Sequence, residues 1–228
     1  MVKSKLKAVA LDVDGTITDN TRKLCVNAIN AIYQSENIGI PVIFVTGNVM
    51  CVAKALSIFL GTTGGLVAEN GGVIESGGRT KILGNIKECV NAYNVLKSKF
   101  DVTRRVLAED RVSEVALERT LPVEMVRDAV MDFNVVVYDS KFAIHLTDPL
   151  VDKGSSLKMV CSDLGLETDE ILAIGDGEND IEFFNVAGVK VAVNNADDKL
   201  KDIADYITVK SYGDGVAEAM ERFILKEV

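Results

Sequence analysis

The chain has 228 residues but only one histidine, His145, so a catalytic centre built on a serine–histidine or cysteine–histidine pair is not expected. Its four cysteines, Cys25, Cys51, Cys89 and Cys161, are far apart and form no C-x-x-C pair. They read as small buried apolar residues in a reducing cytoplasm rather than as a thiolate metal site. Long apolar runs are also missing: the stretch 49–60 is broken by Lys54 and is too short for the ~20 residues that a bilayer span needs. Lys3, Lys5 and Lys7 precede an apolar run that meets Asp12, too soon for a secretory leader. Positive charge is scarce, with 25 Lys+Arg against 34 Asp+Glu and a net charge of −9. That sign is wrong for neutralising nucleic-acid phosphates or anionic lipid, so neither partner is expected.

What is present is an ordinary globular composition, 48% hydrophobic and 26% charged, with enough chain for one large core or a core carrying a smaller insert. Residues 6–13 form a short apolar run closed by Asp14-Gly15 and read as a buried strand. Residues 22–37 read as a helix with Ala28, Ile29, Ile32 and Tyr33 on one face and Gly39 as its stop. A strand over 40–45, a helix ending at Gly61 and a strand over 66–68 follow. Continuous apolar strands alternating with helices signal a parallel sheet covered on both faces. After Glu69-Asn70-Gly71-Gly72 the pattern changes. A hairpin over 73–82 is followed by a helix over 86–96, a strand over 112–117, a helix opened by Pro122, and strands over 135–138 and 142–146. Alternation resumes at Lys153 with a helix, a strand over 171–174, a helix from Asn179, a strand over 189–193 and a helix from Asp214. The expected fold is α/β: a doubly wound, mainly parallel core made of residues 1–80 and 152–228, interrupted by an α+β insert over 81–151.

In an open parallel sheet, ligands bind at the carboxyl ends of the strands. Asp12 and Asp14 end the first strand, Thr46 ends the second, and Asp176 and Asp180 follow the strand over 171–174. Carboxylates gathered on one edge repel one another and call for a cation. All-oxygen donors favour a hard one, Mg²⁺ before Zn²⁺. Thr46-Gly47-Asn48 lies between a strand and a helix, where a hydroxyl and free N–H groups can hold an anion. Lys153 adds an ammonium where the chain re-enters the core. Each element has a plainer reading: Asp-x-Asp also marks metal-dependent glycosyltransferases, Asn48 suits an N-cap, and Lys153 alone would be a solvated surface lysine. Their joint occurrence at successive strand ends describes a metal-assisted phosphoryl site.

Asp12-Val13-Asp14-Gly15-Thr16, Thr46, Lys153 and Gly175-Asp176-Gly177-Glu178-Asn179-Asp180 resemble, in order, the four motifs of the haloacid dehalogenase superfamily of phosphohydrolases. An insert between the second and third motifs is similar to the C2-capped type. The size, the Thr-Gly-Asn motif and the Glu69-Asn70-Gly71-Gly72 turn look most like the archaeal phosphoglycolate phosphatases. The resemblance implies that Asp12 is the nucleophile and Asp14 the acid and base, with Thr46, Gly47, Asn48, Lys153 and Asn179 binding substrate. Mg²⁺ would be held by Asp12, a main-chain oxygen of Asp14, and Asp176, with Asp180 in or just behind that set. It further implies a small phosphorylated metabolite as substrate, 2-phosphoglycolate in the first instance, and leaves the assembly open between monomer and homodimer. A sugar-phosphate phosphatase or mutase is the nearest enzymatic alternative. A receiver-like signalling module fits less well, since receivers carry the phosphorylated Asp at the third strand.

Two features of the insert stand outside the motifs. His145 alternates with Ile144 and Leu146 in a strand and reads as a structural face residue. Arg104, Arg105, Arg111 and Arg119 read mostly as solvated charges, with Arg111, next to the strand over 112–117, the candidate for meeting a substrate carboxylate. The net charge is −1 between 81 and 151 and −8 in the rest, so the acid excess belongs to the core. Phosphate binding should therefore be weak without Mg²⁺.

Overall fold

The computed structural model describes residues 6–227; Lys3 and Lys5 lie outside them. Along the chain run β1 (Ala8–Leu11), α1 (Val26–Asn37), β2 (Val42–Val45), α2 (Met50–Leu60), β3 (Leu66–Ala68), β4 (Val73–Ser76) and β5 (Arg79–Ile82). Then come α3 (Ile86–Lys99), β6 (Glu114–Leu117), α4 (Val123–Ala129), β7 (Val136–Asp139) and β8 (Ile144–Thr147). The last third holds α5 (Lys153–Leu164), β9 (Ile171–Gly175), α6 (Ile181–Phe184), β10 (Val189–Ala192), α7 (Asp198–Lys201), β11 (Tyr206–Ile207) and α8 (Tyr212–Phe223).

Eight strands form one sheet in the order β11-β10-β9-β1-β2-β3-β4-β5, and three form a second in the order β6-β8-β7. From β11 to β3 the large sheet is parallel, and the β4–β5 hairpin extends it antiparallel. The outermost strand, β5, is exposed and carries Arg79 and Lys81, charges that discourage edge-to-edge pairing. Because the strand period is 2, β1 sends Val9 and Leu11 to one face and Ala8 and Ala10 to the other. The first face packs with Phe44 and Ile174 against Ile32 of α1 and Val216 and Met220 of α8. The second packs with Ile43 and Val45 against Leu157 and Val160 of α5 and the Phe183–Phe184 pair. A third core joins α3 and α4 to the small sheet through Leu96, Leu117, Val126 and Leu146.

Several elements begin or end away from their expected limits. α1 starts at Val26 rather than at residue 22, because Thr18 and Leu24 pair as an antiparallel bridge and Arg22 takes a φ of 66°. In α1 the buried residues are Ala28, Ala31, Ile32 and Ser35, while Tyr33 is half exposed. The expected helix from Asn179 is a single 3₁₀ turn, Glu178–Asp180, followed by the short α6. Nor are all the cysteines buried: Cys51 is exposed on α2, and Cys25, at the cap position ahead of α1, is half-buried against the core. Neither α7 nor the two-residue edge strand β11 has a periodic signal in the sequence.

The order β9-β1-β2 places β1 where the winding reverses, the point at which an open sheet leaves a crevice beyond its carboxyl ends. Leu11 pairs with Phe44 on one side and Ile174 on the other. Asp12, Val45 and Gly175 therefore leave the sheet at one level.

Candidate active site

Beyond β1 the chain turns sharply at Gly15, whose φ is 84°. A Cβ there would stand 2.6 Å from Asp176 Oδ2, so glycine lets the β1 loop lie against the β9 loop. One oxygen from each of Asp12, Asp176 and Asp180 falls within a 4.8 Å cluster, and all three residues are buried. Lys153, the first residue of α5, donates from Nζ to Asp12 Oδ1 at 2.8 Å and to Asp180 Oδ1 at 2.6 Å. The helix start that presents it is fixed by Asp152, whose side chain accepts from the Ser155 N–H at 2.7 Å. Asp180 Oδ2 accepts from the N–H groups of Asp176 and Gly177, each at 2.9 Å. Asp176 takes the Thr16 hydroxyl on Oδ1 at 3.2 Å and the Lys141 ammonium on Oδ2 at 2.9 Å.

Burial pushes the Asp12 carboxyl well above its usual range, and the charges of Asp180 and Asp176 add to the push against the opposing Lys153. Burial likewise raises Asp176 to about 6, with Asp180 adding and Lys141 opposing. Lys153 is held above the ordinary lysine value despite its own burial, because Asp12 and Asp180 favour its charged form. Three buried carboxylates thus share two ammonium groups. Three hard oxygen donors with no imidazole or thiolate among them fit a hard divalent cation.

Asp14 is directed away from this cluster. Its two oxygens accept from Arg22 Nε, at 2.8 Å, and from the Asn48 amide. Arg22 Nη2 also donates to Asn48 Oδ1 at 3.2 Å. The Thr46 hydroxyl accepts from the Asn48 N–H at 3.0 Å. Asn48 is not the cap of α2: that position is Val49, which offers no side-chain acceptor. Asp12, Asp14, Thr46, Gly47, Asn48, Asp176 and Asn179 all line one cavity of about 100 Å³, whereas Lys153 and Asp180 lie behind its wall.

The opposite wall comes from the small sheet and its loops, including Arg111, Ser140, Phe142 and His145. Glu114, buried at the head of β6, accepts from Asn70 Nδ2 at 2.8 Å, meets His145 Nδ1 at 2.9 Å and pairs with Arg111. Burial works to raise Glu114, but the charges of His145 and Arg111 and hydrogen bonds from His145 and Asn70 hold it below the ordinary range. His145 Nε2 meets Ser140 Oγ at 3.1 Å. The histidine is buried and bonded at both ring nitrogens, as a structural residue would be, and it also faces the cavity.

The Glu69-Asn70-Gly71-Gly72 turn ties the two sheets together. Glu69 Oε2 accepts from the Ser113 N–H at 2.9 Å and from the Ser113 hydroxyl at 2.7 Å, and Asn70 Oδ1 accepts from Asn179 at 3.0 Å. Gly71, at a φ of 101°, lies so close to the Asp152 carbonyl that a Cβ would overlap it. Arg22, Lys141, Glu114 and Asn70 are site residues that the sequence reading missed. A lone acid heading the apolar run Val115-Ala116-Leu117 could have marked Glu114. Arg22 and Lys141, in loops with φ of 66° and 64°, carry no comparable signal.

An edge of carboxylates that could hold a metal ion, at a topological switch point with a lysine behind it and a second unit above it, is the arrangement of a hydrolase built on a doubly wound sheet. The chain belongs to the haloacid dehalogenase-like hydrolases, whose family model matches residues 9–112 and 91–220. It is 49% identical over 219 residues to a phosphoglycolate phosphatase of Methanothermobacter thermautotrophicus, covering 96% of this chain and 99% of that one. It is 41% identical to a protein of the same name from Archaeoglobus fulgidus, covering 95% and 96%. A crystal structure of a Thermoplasma acidophilum protein superposes with a TM-score of 0.89 at 29% identity, covering 96% of this chain and 99% of that one. Among the described residues, no helix is long and apolar enough to cross a membrane.

Proposed function

We propose that the protein is a Mg²⁺-dependent phosphatase that hydrolyses 2-phosphoglycolate to glycolate and phosphate through a phosphoaspartate on Asp12, with residues 81–151 acting as a cap. The observation that carries this reading is the arrival of Asp12, Asp14, Thr46 and Asp176 at one cavity, with Lys153 bonded to Asp12 from behind. Asp12 attacks phosphorus in line, the bond from phosphorus to the glycolate oxygen breaks, and Asp14 gives that oxygen its proton. Asp14 then takes a proton from the water that attacks the phosphoaspartate. The phosphorus–oxygen bond to Asp12 breaks, and phosphate leaves. The Thr46 hydroxyl, the Gly47 N–H and the uncapped start of α2 bind the phosphoryl oxygens. Asn48 keeps Asp14 in place, and Asn179 closes the wall.

Asp12, the main-chain oxygen of Asp14, and Asp176 would hold Mg²⁺. Asp180, with both oxygens already bonded to Lys153 and to backbone N–H groups, stands behind them. When bound there, such an ion would supply positive charge against the phosphoryl oxygens. A cavity of about 100 Å³, against ~300–1,000 Å³ for pockets that take drug-sized ligands, supports a two-carbon acid over a sugar phosphate. The names of the archaeal relatives support the same substrate. The four free cysteines are compatible with the cytoplasmic setting expected from the sequence.

Phosphate release from 2-phosphoglycolate, measured with and without Mg²⁺, tests the reading. Asp12→Asn should lose at least about 10³-fold in kcat/KM while its circular dichroism stays that of the wild type. Full activity in that variant would overturn the assignment of the nucleophile, and an isomerised sugar phosphate among the products would favour a mutase.

A further inference from the structure

Arg111 enters the cavity from the cap with only 7% of its side chain exposed. One terminal nitrogen, Nη1, donates to the Gly47 carbonyl at 3.1 Å and pairs with Glu114. Its Nε is buried and has no hydrogen-bond partner. A buried N–H without an acceptor is costly and uncommon in a native structure. A guanidinium engaged at Nη1 with its Nε left unsatisfied suits a carboxylate taken side-on, because adjacent N–H groups align with the two carboxylate oxygens.

We propose that Arg111 binds the carboxylate of the leaving group through its Nε edge, and so selects phosphorylated 2-hydroxy acids over other small phosphomonoesters. This proposal rests on the phosphatase reading above. The other cavity arginines are committed elsewhere: Arg22 holds Asp14 and Asn48, and Arg105 pairs with Glu118 at 2.7 Å. The phosphoryl end has its own donors on Thr46 and Gly47. Arg111 is anchored on Gly47, whose Cα is only ~3.8 Å from that of Thr46. The second anion it receives must therefore lie close to the phosphoryl group, within reach of a two-carbon acid and short of the far end of a sugar. Glu114 acts as the positioning residue. It is fixed in turn by His145 and Asn70, and it sets the direction of the guanidinium fork.

The test compares 2-phosphoglycolate with 2-hydroxyethyl phosphate, which lacks the carboxylate, in the wild type, Arg111→Met and Arg111→Lys with Mg²⁺. The wild type should prefer the acid. The ratio of kcat/KM, acid over neutral ester, should fall about 10- to 100-fold in Arg111→Met, mainly through the KM of the acid. Arg111→Lys keeps a cation beside Glu114 and so protects the fold, but it lacks Nε, and its ratio should fall by less. Equal losses on both esters in a folded variant would make Arg111 a structural clip and overturn the proposal. A wild type that hydrolyses both esters without preference would overturn it too, while leaving the phosphatase reading intact. Hydrolysis of neither ester would instead overturn the phosphatase reading. In that case calorimetric binding of 2-phosphoglycolate decides: weaker binding by Arg111→Lys than by the wild type supports the anion site, and equal binding overturns it.

Discussion

The two ends of the cavity contain similar groups with opposite outcomes. At the core end, three buried carboxylates, Asp12, Asp176 and Asp180, share the ammonium groups of Lys153 and Lys141. At the cap end, one buried carboxylate, Glu114, is shared by Arg111, His145 and Asn70. Burial favours the neutral acid at both ends. Asp12 and Asp176 are raised, by burial first and then by the carboxylates beside them, whereas Glu114 is held down because donors and cations surround it. With burial acting the same way at both ends, the count of nearby donors and cations sets the direction of the shift. On the proposed reading, one end calls for a cation and the other has a donor left for an anion, and that would let a chain of net charge −9 take a polyanionic ester.

Lys153→Met breaks the core end most completely. Asp12 and Asp180 would be left buried without their shared ammonium, and losing one partner of a buried pair costs about 3–5 kcal/mol. Urea denaturation should show a loss of that size; stability within about 1 kcal/mol of the wild type would mean that the core end has charge to spare. At the cap end, Glu114→Gln should cost about 2–3 kcal/mol near neutral pH, the scale of hydrogen bonds to a charged group. The sign with pH follows from the direction of the shift. A carboxyl held lower in the folded state contributes fully above the ordinary glutamate value of 4.5, and that contribution is lost as pH falls through the folded value. The difference between wild type and Glu114→Gln should thus be flat near neutrality and shrink in acid. A difference that grew in acid would contradict the comparison.

The smallest effect concerns Lys141, which reaches from the tip between β7 and β8 to Asp176 Oδ2 and competes with any cation there. Its side chain is 36% exposed, so solvent screens it. Lys141→Ala should tighten Mg²⁺ binding by about threefold, as read by calorimetry without substrate. Weaker binding would show that Lys141 assists the cation instead.

The parallel strands and the residues at their ends were legible because both signals are local. Leu11 and Ile174 lie in continuous apolar runs, and Asp12 and Asp176 follow them directly. Lys153 was legible from its place at a helix start. Asn70 was not, because it meets Glu114 and Asn179 across more than 40 residues of chain, and Glu114, marked only as a lone acid heading an apolar run, meets Asn70 and His145 across more than 30. Arg22 and Lys141 look like solvated charges until loop geometry turns them inward. Cys51 erred in the other direction: its apolar neighbours suggest burial, but α2 turns that face outward.

With a single imidazole in the chain, wedged between Glu114 and Ser140 on the cavity wall, the protein carries its own spectroscopic label. One ring-proton resonance, free of overlap from other histidines, would report occupancy of the cap end directly. A ligand drawn to Arg111 should shift it, whereas inorganic phosphate confined to the Asp12 end should disturb it less. Binding at the two ends can thus be followed separately in the unmodified enzyme.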